Sequence, residues 1–177
     1  MKKMILVGRS ECGKTTLKQA LRGKKIHYEK TQYINHFDVL IDTPGEYAET
    51  NKLARALALY SYEADVVALL LNATEPYSLY PPCVAPVANR PVIGVVTQID
   101  HPMANVEQAA EWLKLTGADP IFKISSYTGE GIWQLIEYLR EDGDELPWDK
   151  KEDIEYQRDI ISTKNEVQAF KNTENVN

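Results

Sequence analysis

The chain has 177 residues, enough for one α/β domain with an appendage and too few for two full domains. Its 20 basic and 26 acidic residues give a formal net charge of −6, and no basic surface interleaved with aromatic residues is apparent, which argues against a nucleic-acid-binding protein. The longest apolar run, residues 66–71, is far shorter than the roughly 20 residues of a membrane-spanning helix, which argues against a membrane span.

The first predicted elements are a strand at KMILV, residues 3–7, and a helix at KTTLKQALRG, residues 14–23. The apolar run of the strand leads into a glycine loop and not into a small-residue cleavage site, so we do not interpret it as a signal peptide. Leu17 and Leu21 lie four residues apart on one helical face, and Gly23 is a typical helix stop. A strand, a loop and a helix in this order open a βαβ unit.

Strands and helices alternate along the chain to residue 140. Further strands are predicted at YINHF, DVLID, DVVALLLNA, PVIGVVT and PIFKIS, and further helices at KLARALALYSYEA, NVEQAAEWLKLTG and GIWQLIEYLR. This alternation predicts an α/β fold with a mostly parallel central sheet and helices on both faces. Ligands of such sheets bind at the carboxyl ends of the strands, where loops and helix amino termini meet.

A proline-rich segment, residues 76–91, interrupts this rhythm between two predicted strands. Its five prolines remove backbone donors and disfavour helix in the residues before them, so the crossover helix should be reduced or missing. One face of the sheet would then be thinly covered and open to a partner. The alternative is that the proline-rich loop packs on its own domain.

An acidic tail ends the chain, and we predict a P-loop domain at 1–142 followed by a partly helical extension at 143–177. From Glu141 onward there are 11 acidic and 5 basic residues. Apolar residues recur there at spacings of four, seven and three, which predicts one apolar helical stripe: Tyr156, Ile160, Val167 and Phe170. This stripe either docks on its own domain or recognises a partner.

The segment GRSECGKT, residues 8–15, fits the phosphate-loop pattern G-x-x-x-x-G-K-[ST] between a predicted strand and a predicted helix. Its backbone amides and the helix amino terminus favour phosphate oxygens. Lys14 should bridge the β- and γ-phosphates, and the Thr15 hydroxyl should bind Mg²⁺. Cys12 is interpreted as a small loop filler in preference to a redox switch. The predicted nucleotide-binding residues here are Gly8, Arg9, Ser10, Glu11, Cys12, Gly13, Lys14, Thr15 and Thr16.

Three further residues are candidates for the metal and the γ-phosphate. LIDTPGE places Asp42 at the end of an apolar strand, where its carboxylate can hold Mg²⁺ through a water molecule. The backbone amide of Gly45 can meet a γ-phosphate, which would make the following loop sensitive to hydrolysis. Thr31, in EKTQY, is the candidate switch threonine that would coordinate Mg²⁺.

In their order, GxxxxGKT, a threonine, DTPGE, TQID and SSYTGEGI resemble the Era-type branch of Ras-like small GTPases. More narrowly, KTQ, IDTPGEY and NRPVIGVVT resemble the EutP/PduV family of ethanolamine and propanediol utilisation. The resemblance covers residues 3–140. It implies a Ras-like P-loop fold, binding of GTP or GDP with Mg²⁺, and association with bacterial microcompartments in the cytoplasm.

The guanine-reading motif of these GTPases, Asn-Lys-x-Asp, is replaced here by TQID, residues 97–100. Asp100 keeps the carboxylate that accepts the two N–H groups of guanine. Thr97 can hydrogen-bond towards the phosphate loop, but Gln98 is shorter than the usual lysine and uncharged, so affinity should fall while guanine preference survives. Ser125 and Ser126 fill the place of the Ser-Ala-Lys loop, where the Ser126 amide would meet guanine O6.

The resulting prediction is a GTPase with slow intrinsic hydrolysis. Glu46 follows Gly45 where many small GTPases place a water-orienting glutamine, and its carboxylate adds negative charge beside the γ-phosphate. We expect Lys14, Thr31 and Glu46 to be the catalytic residues. The alternatives are a small-carboxylate kinase, such as an acetate kinase, and a non-catalytic module. The module would bind a microcompartment shell or enzyme protein through the tail or the proline-rich face.

Overall fold

The computed structural model describes residues 1–23, 40–42, 57–58 and 61–144. Within them, five strands form one parallel sheet in the order β2-β1-β3-β4-β5. The strands are β1 Met4–Val7, β2 Leu40–Asp42, β3 Val66–Asn72, β4 Val92–Thr97 and β5 Ile121–Lys123. The α-helices with described bounds are α1 Lys14–Gly23, α2 Val106–Leu115 and α3 Ile132–Tyr138. Residues 57–58 are also helical, but the end of the helix predicted at KLARALALYSYEA is a 3-10 turn, Ser61–Glu63, and not α-helix.

Continuous apolar runs produce the three central strands, because helices cover both faces of a parallel sheet. Every residue of β1 and β4 is buried, as are the first six residues of β3. The helices have one apolar face each: α1 buries Leu17 and Leu21, and α2 buries Ala109, Ala110 and Leu113. This is the predicted Ras-like P-loop α/β fold.

The order of the strands determines where a ligand can bind. The chain passes from β1 to β2 on one side and then returns to β3 on the other side of β1. A crevice opens at such a switch point, outside the carboxyl ends of the strands. The loop from β1 to α1 starts at this crevice, and the carboxyl ends of β3 and β4 lie next to it.

The proline-rich segment contains no α-helix, as predicted, and forms a single 3-10 turn at Ala85–Val87. Tyr80, Val84 and Ala85 are buried in the core. The hydroxyl of Tyr80 lies 3.0 Å from the carbonyl oxygen of Val7 and 2.7 Å from that of Leu70, so it donates into the sheet. The described residues therefore follow the second alternative, in which this loop packs on its own domain.

The chain divides into two units, Met1–Glu141 and Asp142–Asn177, and all the elements above belong to the first. The predicted strand YINHF and the apolar stripe of the tail lie outside the described residues, so they and the predicted domain limits, 1–142 and 143–177, stay predictions. No helix in the described part is both long and apolar enough to cross a bilayer.

Candidate nucleotide-binding site

The phosphate loop curls between the end of β1 and the start of α1. Its first glycine, Gly8, lies so close to the loop and to β3 that a Cβ atom there would come within 2.4 Å of the Cys12 sulfur and 3.0 Å of the Leu70 carbonyl oxygen. Gly13 has a φ of +90°, a conformation that L side chains rarely adopt. Both glycines of the motif are thus required by the shape of the loop.

The ammonium group of Lys14 lies inside this curl. The side chain is only 8% exposed, and its Nζ donates to the carbonyl oxygens of Gly8 and Arg9, both at 2.7 Å. The sulfur of Cys12 is 3.8 Å from the same nitrogen. Within the described residues the buried positive charge therefore has neutral partners.

Cys12 is buried beneath the loop. Burial raises the pKa of the Cys12 thiol, although the Lys14 ammonium beside it partly opposes this effect. The thiol consequently stays protonated at neutral pH and is shielded from solvent, which disfavours redox chemistry. This agrees with the interpretation of Cys12 as a small side chain that fills the loop.

The carboxyl end of β4 is tied to the phosphate loop. Thr97 is buried and its hydroxyl donates to the Cys12 carbonyl at 2.8 Å, as expected from the sequence. Gln98 has a φ of +57°, and its Nε2 lies 3.4 Å from the Glu11 carbonyl oxygen. The glutamine thus reaches the loop, though by a long and weak hydrogen bond. This contact was not predicted, because the shorter length and missing charge of glutamine give no sign that its amide can still reach the loop.

The loop that contains Ser125 and Ser126 runs beside the TQID segment. The Ile124 amide donates to Val96 at 2.8 Å, and the Ile99 amide donates to Ile124 at 3.5 Å, so the two loops leave the sheet side by side. Ser125 is fully buried, whereas Asp100 is exposed. A carboxylate can accept the N1–H and N2 amino hydrogens of a guanine, and a backbone amide can donate to its O6.

The predicted metal ligands fit Mg²⁺ chemistry to the extent that the structure describes them. Thr15 is exposed in the first turn of α1, and Asp42 is the last residue of β2, in register with Leu6 of β1. Among the described residues no group of three histidine, cysteine or acidic side chains forms a protein cage. Mg²⁺ needs none, since it usually takes one or two protein ligands together with phosphate oxygens and water.

Three predicted residues lie outside the described ranges: Thr31, Gly45 and Glu46. The structure brings the others together at the carboxyl edge of the sheet. The phosphate-loop residues Arg9, Ser10, Glu11 and Thr16 are at least partly exposed on this edge, as is Ser126.

An ion pair beside the phosphate loop was not foreseen. The guanidinium of Arg9 lies 3.1 Å from the carboxylate of Glu75, three residues beyond the end of β3. The two side chains help to line a cavity of about 10 Å³ together with Tyr77 and Leu79. An acidic residue just after a buried strand is a usable sequence signal, but its partner 66 positions away is not.

Comparison with known proteins shows the family to which the chain belongs. Residues 1–141 match the protein family described as Ethanolamine utilisation - propanediol utilisation. The chain belongs to the PduV-EutP family. The family resemblance seen in the motifs is thereby confirmed, and the match ends where the first unit of the structure ends.

The relatives agree with this assignment. The PduV-EutP chain is 41% identical over 140 residues to the propanediol utilization protein PduV of Citrobacter freundii, covering 78% of this chain and 93% of the relative. It is 32% identical over 142 residues to the probable acetate kinase EutP of Escherichia coli K12, covering 78% and 89%. It is also 31% identical over 159 residues to translation initiation factor IF-2 of Geobacillus sp. WCH70, which covers 77% of this chain but only 21% of that factor.

Proposed function

We propose that this PduV-EutP protein binds GTP and GDP together with Mg²⁺ and hydrolyses GTP slowly. The observation that carries the proposal is the buried ammonium of Lys14, which lies inside the curled loop and donates to the carbonyls of Gly8 and Arg9. A buried charge with neutral partners is costly, so an anion that enters the loop is strongly favoured. The loop amides and the start of α1 make phosphate the fitting anion.

Guanine preference rests on Asp100. Its exposed carboxylate can accept the N1–H and N2 amino hydrogens of guanine, whereas adenine presents an acceptor at N1 and has no N2 amine. Each charge-assisted hydrogen bond contributes about 1.5–3 kcal/mol. The contacts of Thr97 and Gln98 with the phosphate loop hold the segment in place beside the phosphates.

Mg²⁺ would be held by the Thr15 hydroxyl, by Thr31, and by Asp42 through water. When bound, the ion neutralises charge on the phosphate oxygens. Lys14 would bind the β- and γ-phosphates and orient them within the loop. Glu46 would accept a proton from the attacking water, but its own negative charge beside the γ-phosphate opposes the reaction, which is why we propose slow hydrolysis.

The test is calorimetric titration of the nucleotide-free protein with GDP, GTP and ATP in the presence of Mg²⁺, for the wild type and for Asp100→Ala. We expect the wild type to bind GDP and GTP and to discriminate against ATP. Asp100→Ala should weaken GDP at least tenfold and leave ATP unchanged, because it removes only the bonds that guanine makes. Single-turnover phosphate release then measures hydrolysis.

The matched control is Asp119→Ala, which removes an exposed aspartate just before β5, at the opposite edge of the sheet. It should leave all three affinities unchanged. Equal binding of ATP and GTP by the wild type would refute the guanine assignment, and failure to bind any nucleotide would refute the proposal as a whole.

A second candidate is a small-carboxylate kinase, and the observation in its favour is that three relatives are described as probable acetate kinase EutP. Such an enzyme needs an acyl site next to the γ-phosphate. Formation of acetyl phosphate from acetate with ATP or GTP tests this candidate directly.

We propose a cytoplasmic protein associated with the microcompartments of ethanolamine or propanediol utilisation, with the acidic tail as the surface for a shell or enzyme partner. The family match supports this proposal. If the protein is instead a non-catalytic module, Lys14→Ala leaves partner binding intact and truncation after Arg140 abolishes it.

A further inference from the structure

An exposed aromatic side chain stands beside the proposed base site. Tyr127 is 90% exposed, the largest exposed fraction among the large apolar and aromatic side chains of the described residues. It follows Ser125 and Ser126 directly, on the loop that leaves the sheet next to Gln98 and Asp100. Single exposed aromatic residues are ordinary on protein surfaces, so its position has to carry the argument.

The loop that presents Tyr127 is closed on itself by hydrogen bonds. The Ser125 amide donates to Glu130 at 3.0 Å, and the Gly129 amide donates to the Ser125 carbonyl at 2.9 Å. The Ser125 hydroxyl accepts from the Thr128 amide at 3.0 Å. Residues 126–128 therefore form the tip of an ordered loop, and Tyr127 is presented from a fixed backbone.

On the side next to β4, the described part of the site is lined by Gln98 and not by an aromatic side chain. Gln98 extends along the phosphate loop, with its Nε2 at 3.4 Å from the Glu11 carbonyl oxygen. The same segment carries Asp100, whose exposed carboxylate can recognise only the edge of a base. Glutamine covers a base face less completely than the longer lysine stem would, so a second wall is needed to hold the ring.

We propose that Tyr127 is a further binding residue of this site, whose ring stacks on the nucleobase and offsets the weak wall at Gln98. This inference rests on the proposed nucleotide binding. Every base has a π face, so stacking raises affinity without reading the base, while Asp100 supplies the guanine preference. Loss of one such stack weakens binding by about 5-fold to 150-fold.

The experiment measures dissociation constants for GDP, IDP and inorganic pyrophosphate, each with Mg²⁺, in the wild type, Tyr127→Ala and Tyr127→Phe. We expect Tyr127→Ala to weaken GDP and IDP by the same factor, at least 5-fold, and to leave pyrophosphate unchanged. Tyr127→Phe should bind like the wild type because the ring is retained. Tyr62→Ala is the matched control, since Tyr62 is 71% exposed but precedes β3, at the opposite edge of the sheet.

Two results would overturn the inference alone: GDP binding by Tyr127→Ala equal to that of the wild type, or an equal loss of pyrophosphate, which would mean that the substitution acts on the loop and not on the base. A wild type that binds pyrophosphate but not GDP would remove both this inference and the guanine proposal. The failure of the two ideas is thus distinguishable.

Discussion

The buried ammonium of Lys14 is only partly stabilised in the nucleotide-free protein. Among the described residues, its shortest hydrogen bonds go to backbone carbonyls of the same loop. Such bonds satisfy the donors but do not neutralise the charge, so desolvation is only partly offset. The loop holds a net positive charge at the place where a phosphate would sit.

The buried charge predicts that Lys14→Met keeps or raises the stability of the protein but weakens its binding of GDP. Methionine keeps the apolar stem and removes the charge, so the free energy of unfolding of the nucleotide-free protein should stay within about 1 kcal/mol of the wild type or rise. Affinity for GDP should fall by two orders of magnitude or more. Denaturant unfolding and GDP titration measure the two effects, with Lys18→Met, one turn further along α1, as the control that should change neither. A clear loss of stability together with binding would contradict this account.

At the scale of single residues, the motifs predicted the shape of the phosphate loop and one long-range contact with it. The loop from Gly8 to Thr15 has a shape that its glycines require, and the Thr97 bond to the phosphate loop was expected. The Arg9 pair with Glu75 could not be predicted, because it depends on which strand lies beside β1. The type of side chain determines which interactions a residue can make, but the order of the strands determines which distant residue it contacts.

Among the elements, the predicted strands and most of the predicted helices agree with the structure within two residues wherever residues are described. The exception is the helix predicted at KLARALALYSYEA, whose described end, Ser61–Glu63, is a 3-10 turn. The agreement is best for β3 and β4, since their apolar runs are long and bounded by polar residues or proline. The proline-rich segment was predicted correctly as non-helical from backbone chemistry alone. Its attachment through Tyr80 was not, since a tyrosine among prolines gives no sign of the carbonyls it will meet.

Tyr80 should make the attachment of this segment sensitive to alkaline pH. Burial raises the pKa of the Tyr80 phenol well above its usual value near 10. The unfolded chain therefore loses this proton first, and stability that is complete below about pH 10 is lost as the pH rises further. Tyr80→Phe should cost about 1 kcal/mol at pH 7 through the lost hydrogen bond, and less at pH 11.

The measurement for Tyr80 is denaturant unfolding of the wild type and Tyr80→Phe at both pH values. The exposed tyrosine variant Tyr77→Phe provides the control, because it should not alter the pH dependence. Parallel curves for the wild type and Tyr80→Phe between pH 7 and pH 11 would argue against a special role for the buried phenol.

The whole molecule has a charge distribution that separates the domain from the tail. Residues from Glu141 onward have 11 acidic and 5 basic side chains, which accounts for the net charge of −6, so the preceding 140 residues are neutral overall. The family match also ends at residue 141. The loops of the candidate site that the structure describes all arise from the sheet of this first part.

Truncation after Asp142 should therefore leave a folded protein that binds GDP with the affinity of the full chain, within about twofold. The prediction depends on the sheet and the last helix: β5 and α3 both end before residue 140, and the buried side chains of α3 are retained. GDP titration and thermal unfolding of the full chain and the 1–142 fragment provide the test. A second fragment, 1–130, lacks α3 and should fail to unfold cooperatively, because Ile132, Leu135 and Ile136 leave the core. If the 1–142 fragment folds but loses GDP, the tail belongs to the nucleotide site, and the predicted division of the chain is wrong.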